Sequence, residues 1–125
     1  MTKVLIIEDE GPIRANLLRI LTLEGFAVLE AADGAAGLAL ARSALPDIIL
    51  CDVMMPGLDG HGVLDGLRAQ PETAGIPLIF VSASADAADL EAGLSRGAAN
   101  YLTKPFTIQD VLGVLRAELG KDRTT

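Results

Sequence analysis

The chain has 125 residues, a formal net charge of -7, 50% hydrophobic residues and one cysteine. That length and apolar content suit one folded domain and exclude intrinsic disorder, and a single cysteine allows no internal disulfide framework, which fits a reducing cytoplasm. The acidic excess and an aromatic content of 3% argue against binding nucleic acid through phosphates or stacked bases, and against docking on anionic membranes.

Short apolar runs alternate with longer stretches of helical period. Residues 4–7, Val-Leu-Ile-Ile, form the first run; it is strand-length and far too short for a signal-peptide core or a membrane span. Ile13, Leu17, Ile20 and Leu21 then recur at helical spacing, with Pro12 suited to the first turn and Gly25 to the stop. Residues 27–29 make a second, weaker run. A helix is predicted over Gly34–Ala44, with Leu38 and Ala41 toward a sheet and Pro46 forbidding continuation. The third run, residues 48–51, is wholly apolar, and residues 61–69 follow it as a helix carrying Val63, Leu64 and Leu67. The fourth run covers residues 77–81, and a helix over 85–96 with Leu90 and Leu94 closes at Gly97. Residues 100–102 make a fifth, weaker run, and Ile108–Leu119 is the last helix, with Val111, Leu112 and Leu115 on one stripe. The domain is expected to span residues 1–120, followed by a polar tail at 121–125.

Alternation of strands and helices predicts an α/β fold with a parallel sheet covered by helices on both faces. For a chain of this size the flavodoxin-like strand order 2-1-3-4-5 is expected, with the two weaker runs toward the edges. Ligands of such sheets sit beyond the carboxyl ends of the strands, where the strand order reverses. Glu8 and Asp9 follow the first run, Asp52 the third, Ser82 the fourth, and Thr103 and Lys104 the fifth. Clustered carboxylates repel, by about 4 kcal/mol for two charges roughly 4 Å apart at an effective dielectric near 20. They call for a cation or shared protons, and hard oxygen ligands that leave room for water suit Mg²⁺. Lys104 adds positive charge, so the group would welcome a phosphoryl group, and a carboxylate such as Asp52 can itself be the nucleophile.

The Glu8-Asp9 pair, the segment from Asp52 through Met54, Met55, Pro56 and Gly57 to Gly60, the Val81-Ser82-Ala83 triplet, and Tyr101 through Lys104-Pro105-Phe106 together resemble a response-regulator receiver domain, the phosphoacceptor module of two-component signalling. The resemblance covers residues 3–119. It implies that Asp52 accepts a phosphoryl group from a phosphohistidine of a sensor histidine kinase or histidine phosphotransfer protein. Asp9, Asp52 and the backbone carbonyl of Met54 would bind Mg²⁺, with Glu8 acting partly through water. Lys104 would pair with the phosphoryl oxygens and Ser82 would hydrogen-bond them. Tyr101 would then swing inward, reshaping the face of the fourth helix, fifth strand and fifth helix for a downstream effector. The Lys104–Pro105 bond is expected to be cis. The implied protein is a cytoplasmic signalling switch, not an enzyme, existing as a monomer or a phosphorylation-dependent dimer. Receivers joined to winged-helix output domains often carry an acid before the tyrosine and an Arg in the last helix; Asn100 and Val114 stand there, which counts against that branch's dimer. Met54 and Ser84, two positions after the acceptor and the hydroxyl, offer no acid or amide to orient a water, so self-dephosphorylation is expected over minutes or longer.

Plainer roles compete with these. Glu8 and Asp9 could cap the first helix, Ser82 could cap the fourth, and Tyr101 could be an ordinary edge-strand aromatic. His61 reads as a solvated residue opening the third helix, and Cys51, alternating away from Asp52, as a small core residue. A Mg²⁺-dependent phosphatase would usually place a second Asp two positions after the nucleophile, where this chain has Met54. A docking module independent of phosphorylation would not need Asp9, Asp52 and Lys104 together.

Overall fold

The computed structural model describes residues 1–83 and 86–121. Ten elements alternate along them: β1 (Lys3–Ile7), α1 (Gly11–Leu23), β2 (Ala27–Ala31), α2 (Gly34–Ala44), β3 (Ile48–Asp52), α3 (Gly60–Arg68), β4 (Leu78–Ser82), α4 (Ala87–Ser95), β5 (Asn100–Thr103) and α5 (Ile108–Leu119). All strands pair in parallel, in the order β2-β1-β3-β4-β5. The two weaker runs do form the edges. The predicted tail beyond Lys121, and the start of the predicted fourth helix at Ala85, lie outside the described residues.

The pleat splits the core in two, because successive strand side chains point to opposite faces. Val4, Ile6, Ile48, Leu50, Ile79, Val81 and Leu102 pack against Leu17 and Leu21 of α1 and Val111, Leu112 and Leu115 of α5. Leu5, Ile7, Ile49, Cys51, Leu78 and Phe80 pack against Ala41 of α2 and Val63, Leu64 and Leu67 of α3. Cys51 is wholly buried in that second core, as its alternation predicts.

Two helices meet the sheet through positions that the leucine spacing does not single out, although Ala41 of α2 is buried as expected. In α2 the buried residues are Gly34, Gly37 and Ala41, while Leu38 lies against Gly66 of α3, where a Cβ would run into its side chain. Leu38 therefore joins two helices and only partly covers the sheet. Among the residues of α4 whose burial is described, Gly93 is the buried one, and Leu94 is 47% exposed. A Cβ at Gly93 would stand 3.1 Å from Phe80 and 3.5 Å from Tyr101, so this helix lies on aromatic rings through a residue without a side chain. The leucine spacing indicated a helix but not which side of it faces inward.

The helix ends follow local chemistry. Asp33, Asp59 and Asp86 accept backbone N–H bonds at the starts of α2, α3 and α4, and Thr107 and Asp110 form a reciprocal capping box on α5. Gly25 closes α1 at φ +90°. At the C-terminal end of α5, buried Glu118 accepts a 3.2 Å bond from Asn100 Nδ2 and meets Lys121 Nζ at 3.1 Å. The position before the tyrosine is thus tied internally to α5.

Candidate functional site

Strand register places the site. Ile7 is level with Cys51 across β1 and β3, so Glu8, one residue on, stands beside Asp52. Asp52 is level with Val81 across β3 and β4, and Ser82 with Thr103 across β4 and β5. From β3 to β4 and again from β4 to β5 the chemistry moves one residue beyond its neighbour, and Glu8, Asp52, Ser82 and Lys104 all collect at the carboxyl edge. A backbone bond of 2.7 Å from Lys104 N–H to the Ser82 carbonyl fixes the last of these steps. The Lys104–Pro105 peptide is cis, as expected.

One oxygen from each of Glu8, Asp9 and Asp52 lies within 4.8 Å of the others. Glu8 and Asp52 are buried and Asp9 is exposed. Lys104 Nζ stands 2.9 Å from Glu8 Oε1, which has no other hydrogen-bond partner among the described residues, and 3.5 Å from Asp52 Oδ2. The lysine is therefore held first by Glu8. Burial pushes the Asp52 carboxyl up to about 7, reinforced by the hydrogen bond and charge of Glu8 and by Asp9, and opposed by Lys104. Burial by itself would lower the Lys104 ammonium, but the hydrogen bond to Glu8 and the charges of Asp52, Glu8 and Glu10 outweigh it and hold it raised. One ammonium against three carboxylates leaves a negative surplus. Its all-oxygen donor set, open on the side of exposed Asp9, fits a hard divalent cation.

The plainer roles for these acids and the serine fall away. The N-cap residue of α1 is Glu10, its side chain makes no capping bond, and the first turn holds no acid. Glu8 instead receives the Glu10 N–H at 3.2 Å, and its carbonyl receives Arg14 at 2.8 Å. Arg14, which also meets Glu30 at 3.1 Å, is a site-shaping residue the sequence did not single out; one Arg on a helix carries no signal of its partner. Ser82 is buried at the end of β4, and α4 is capped by Asp86.

His61 departs from the expectation of a solvated residue. It is half-buried, with its ring edge-on to Phe80 at 5.0 Å. It lines a cavity of about 200 Å³ together with Met54, Asp59, Ser82, Asp89 and Tyr101. Tyr101 is half-buried and also edge-on to Phe80, at 6.3 Å. Ser82 has the strand parity of Phe80, so it belongs to the α3–α4 face, whereas Asp52 has the parity of Leu50 and belongs to the α1–α5 face. Met54, expected to offer its carbonyl, has a 76% exposed residue surface beside this cavity. Ser84 lies outside the described residues.

The structure is thus a doubly covered parallel sheet with acids at its switch point and a lysine beyond the edge strand two places along. The family profile described as "Response regulator receiver domain" matches residues 4–116, and the chain belongs to that family: it is a receiver domain of two-component response regulators, a phosphorylation-dependent signalling switch. It is 40% identical to the DNA-binding dual master transcriptional regulator RpaA of Synechocystis sp., over 95% of this chain and 49% of RpaA. Among solved structures it is similar to chemotaxis protein CheY4 of Vibrio cholerae, with TM-score 0.89, 32% identity, and coverage of 94% of this chain and 98% of that one. The receiver domain of sensor histidine kinase PA1611 from Pseudomonas aeruginosa, solved with a magnesium ion coordinated in its active-site cleft, gives TM-score 0.89 and 30% identity over 96% of this chain and 98% of that one. The chain spans about half the length of the curated relatives it matches. Among the described residues no helix is long and apolar enough to cross a membrane.

Proposed function

We propose that Asp52 is the phosphoacceptor, and that its phosphorylation by a histidine kinase or histidine phosphotransfer protein sets the face formed by α4, β5 and α5. The observation that carries this reading is the meeting of Asp52 with Glu8, Asp9 and Lys104 at one sheet edge. Glu8, Asp9, Asp52 and the Met54 carbonyl would hold Mg²⁺, which supplies positive charge against the carboxylates and the incoming phosphoryl oxygens.

An Asp52 oxygen attacks the phosphorus of the donor phosphohistidine in line with the P–N bond. That bond breaks, its electron pair stays on the imidazole nitrogen, and an acyl phosphate forms. Lys104 shifts from the carboxylates toward the new phosphoryl oxygens, and the Ser82 hydroxyl donates to one of them. Tyr101 turns into the cavity beside Ser82. Both arrangements pre-exist, and the modification changes their ratio. Reversing a 1:99 ratio needs about 5.5 kcal/mol of differential interaction, which a charged group amid Lys104 and Ser82 can supply. The downstream effector is a joined domain or a separate protein that reads the α4–β5–α5 face, and the switch turns over no substrate of its own. The domain acts in the cytoplasm.

Intact mass after incubation with Mg²⁺ and acetyl phosphate tests this. Wild type should gain one phosphoryl group and Asp52→Asn none. Uptake by the variant at another residue refutes Asp52 as the acceptor. Sustained hydrolysis of small phosphomonoesters would favour a phosphatase instead.

A further inference from the structure

The cavity on the α3–α4 side of the sheet carries one feature the phosphoryl chemistry does not use. His61 Nδ1 is buried and has no hydrogen-bond partner among the described residues. Buried polar nitrogens are rarely left unpaired, so a partner in another conformation of the protein is the economical explanation. His61 and Tyr101 both meet Phe80 edge-on, at 5.0 Å and 66° and at 6.3 Å and 70°. Both also line the cavity that Ser82 borders.

We infer that His61 Nδ1 accepts the Tyr101 hydroxyl when the Tyr101 ring turns into this cavity, which makes His61 a positioning residue for the switch. The inference rests on the proposed reading of Tyr101 as the mobile residue. The donor and acceptor match: neutral imidazole protonated on Nε2 offers its Nδ1 lone pair, and the phenol offers one proton. The other groups around the cavity fit less well. As donors to Nδ1 the carboxylate oxygens of Asp59 and Asp89 are unsuited, because they accept, and Asp59 Oδ1 already receives the Gly62 N–H at 2.9 Å. Ser82 is committed to the phosphoryl group in the activated state. Gly93 and Ala92 keep the α4 side of the space small-walled, and Phe80 gives both rings one common surface. In the inward state the tyrosine would thus gain a specific bond in place of solvent, and the histidine would lose its unpaired nitrogen.

The chain has one histidine and one tyrosine, so each ring can be observed alone. Imidazole ¹⁵N spectra would be recorded on the Mg²⁺-loaded protein before and after addition of beryllium fluoride as a phosphoryl mimic. The ¹⁹F spectrum of the same sample would report whether the mimic has bound. In wild type the Nδ1 resonance should move to lower frequency on activation, as an acceptor's does, and in Tyr101→Phe it should stay. His61→Leu, which keeps an apolar filling but removes the nitrogen, should shrink the activation-linked shift of fluorotyrosine at position 101. An unmoved Nδ1 in wild type, or the same movement in Tyr101→Phe, overturns the inference and leaves Asp52 as acceptor intact. Absence of bound beryllium fluoride overturns the Asp52 reading and this inference with it.

Discussion

Asp52 is held ionisable in the resting fold only at a cost. Its carboxyl is pushed up to about 7 by burial and by Glu8, against an ordinary value near 3.8. A raised acid contributes most stability below its unfolded value and loses it as pH rises through the folded value. Between pH 4 and 7 the metal-free domain should therefore lose stability relative to Asp52→Asn, which cannot ionise. At pH 8 the variant should melt higher, by about 4 °C for each kcal/mol relieved in a domain of this size. At pH 4 the gap should close, since both side chains are then neutral. Paired thermal melts across that range check it, and equal melting points at pH 8 would mean that Lys104 fully offsets the burial. The placement of Asp52 and Lys104 at one sheet edge was legible because Asp52 directly follows an apolar run and Lys104 follows another with only Thr103 between. Glu8 as the main holder of Lys104 was not, because that contact depends on register across three strand pairs.

At the scale of elements, the close packing is carried by glycines at helix–sheet contacts. A Cβ on Gly60 would stand 2.5 Å from the Asp52 carbonyl oxygen, 2.8 Å from Val53 Cα and 3.0 Å from Phe80. Two of these neighbours are backbone, so the start of α3 would have to move away from the end of β3. Gly60→Ala should cost about 1–3 kcal/mol, the usual range for overpacking. Urea unfolding would read this as a lower midpoint with an unchanged slope. An unchanged midpoint would show that α3 can shift freely over the end of β3. Helix α4 makes the same point about legibility. Leu90 and Leu94 advertise a helix, yet the inward position is Gly93 against Phe80 and Tyr101. Helical period gives the spacing of a stripe; which stripe is buried depends on the shape of the surface that receives it.

For the whole molecule, cation binding and folding should be linked through the site's protonation. As the proposed ligands, Glu8, Asp9 and Asp52 would hold Mg²⁺ well only when ionised, and the Asp52 proton, bound up to about pH 7, would have to leave first. A ligand bound only by the folded state stabilises by about 2.7 kcal/mol at 100 times its dissociation constant. Added Mg²⁺ should thus raise the melting temperature clearly at pH 8 and little at pH 5. Equal shifts at the two values would place the ion away from Asp52. The same pH series on Asp52→Asn should show a smaller Mg²⁺ effect throughout.

By itself the sequence determined the parallel α/β order, the edge strands, the boundaries of α2 and α5, and the acids, hydroxyl and lysine at the strand ends. These are properties of residues near one another in the chain: apolar runs of strand length, helical spacing, and the rule that α/β ligands sit at carboxyl ends. Tertiary structure alone decided which helix faces lie inward, that Arg14 and Lys104 converge on Glu8, and that His61 shares Phe80 with Tyr101. Those facts depend on register and on contacts between residues far apart in the chain. No local pattern encodes them, because the free energy that selects them arises only when the two faces of the sheet are covered.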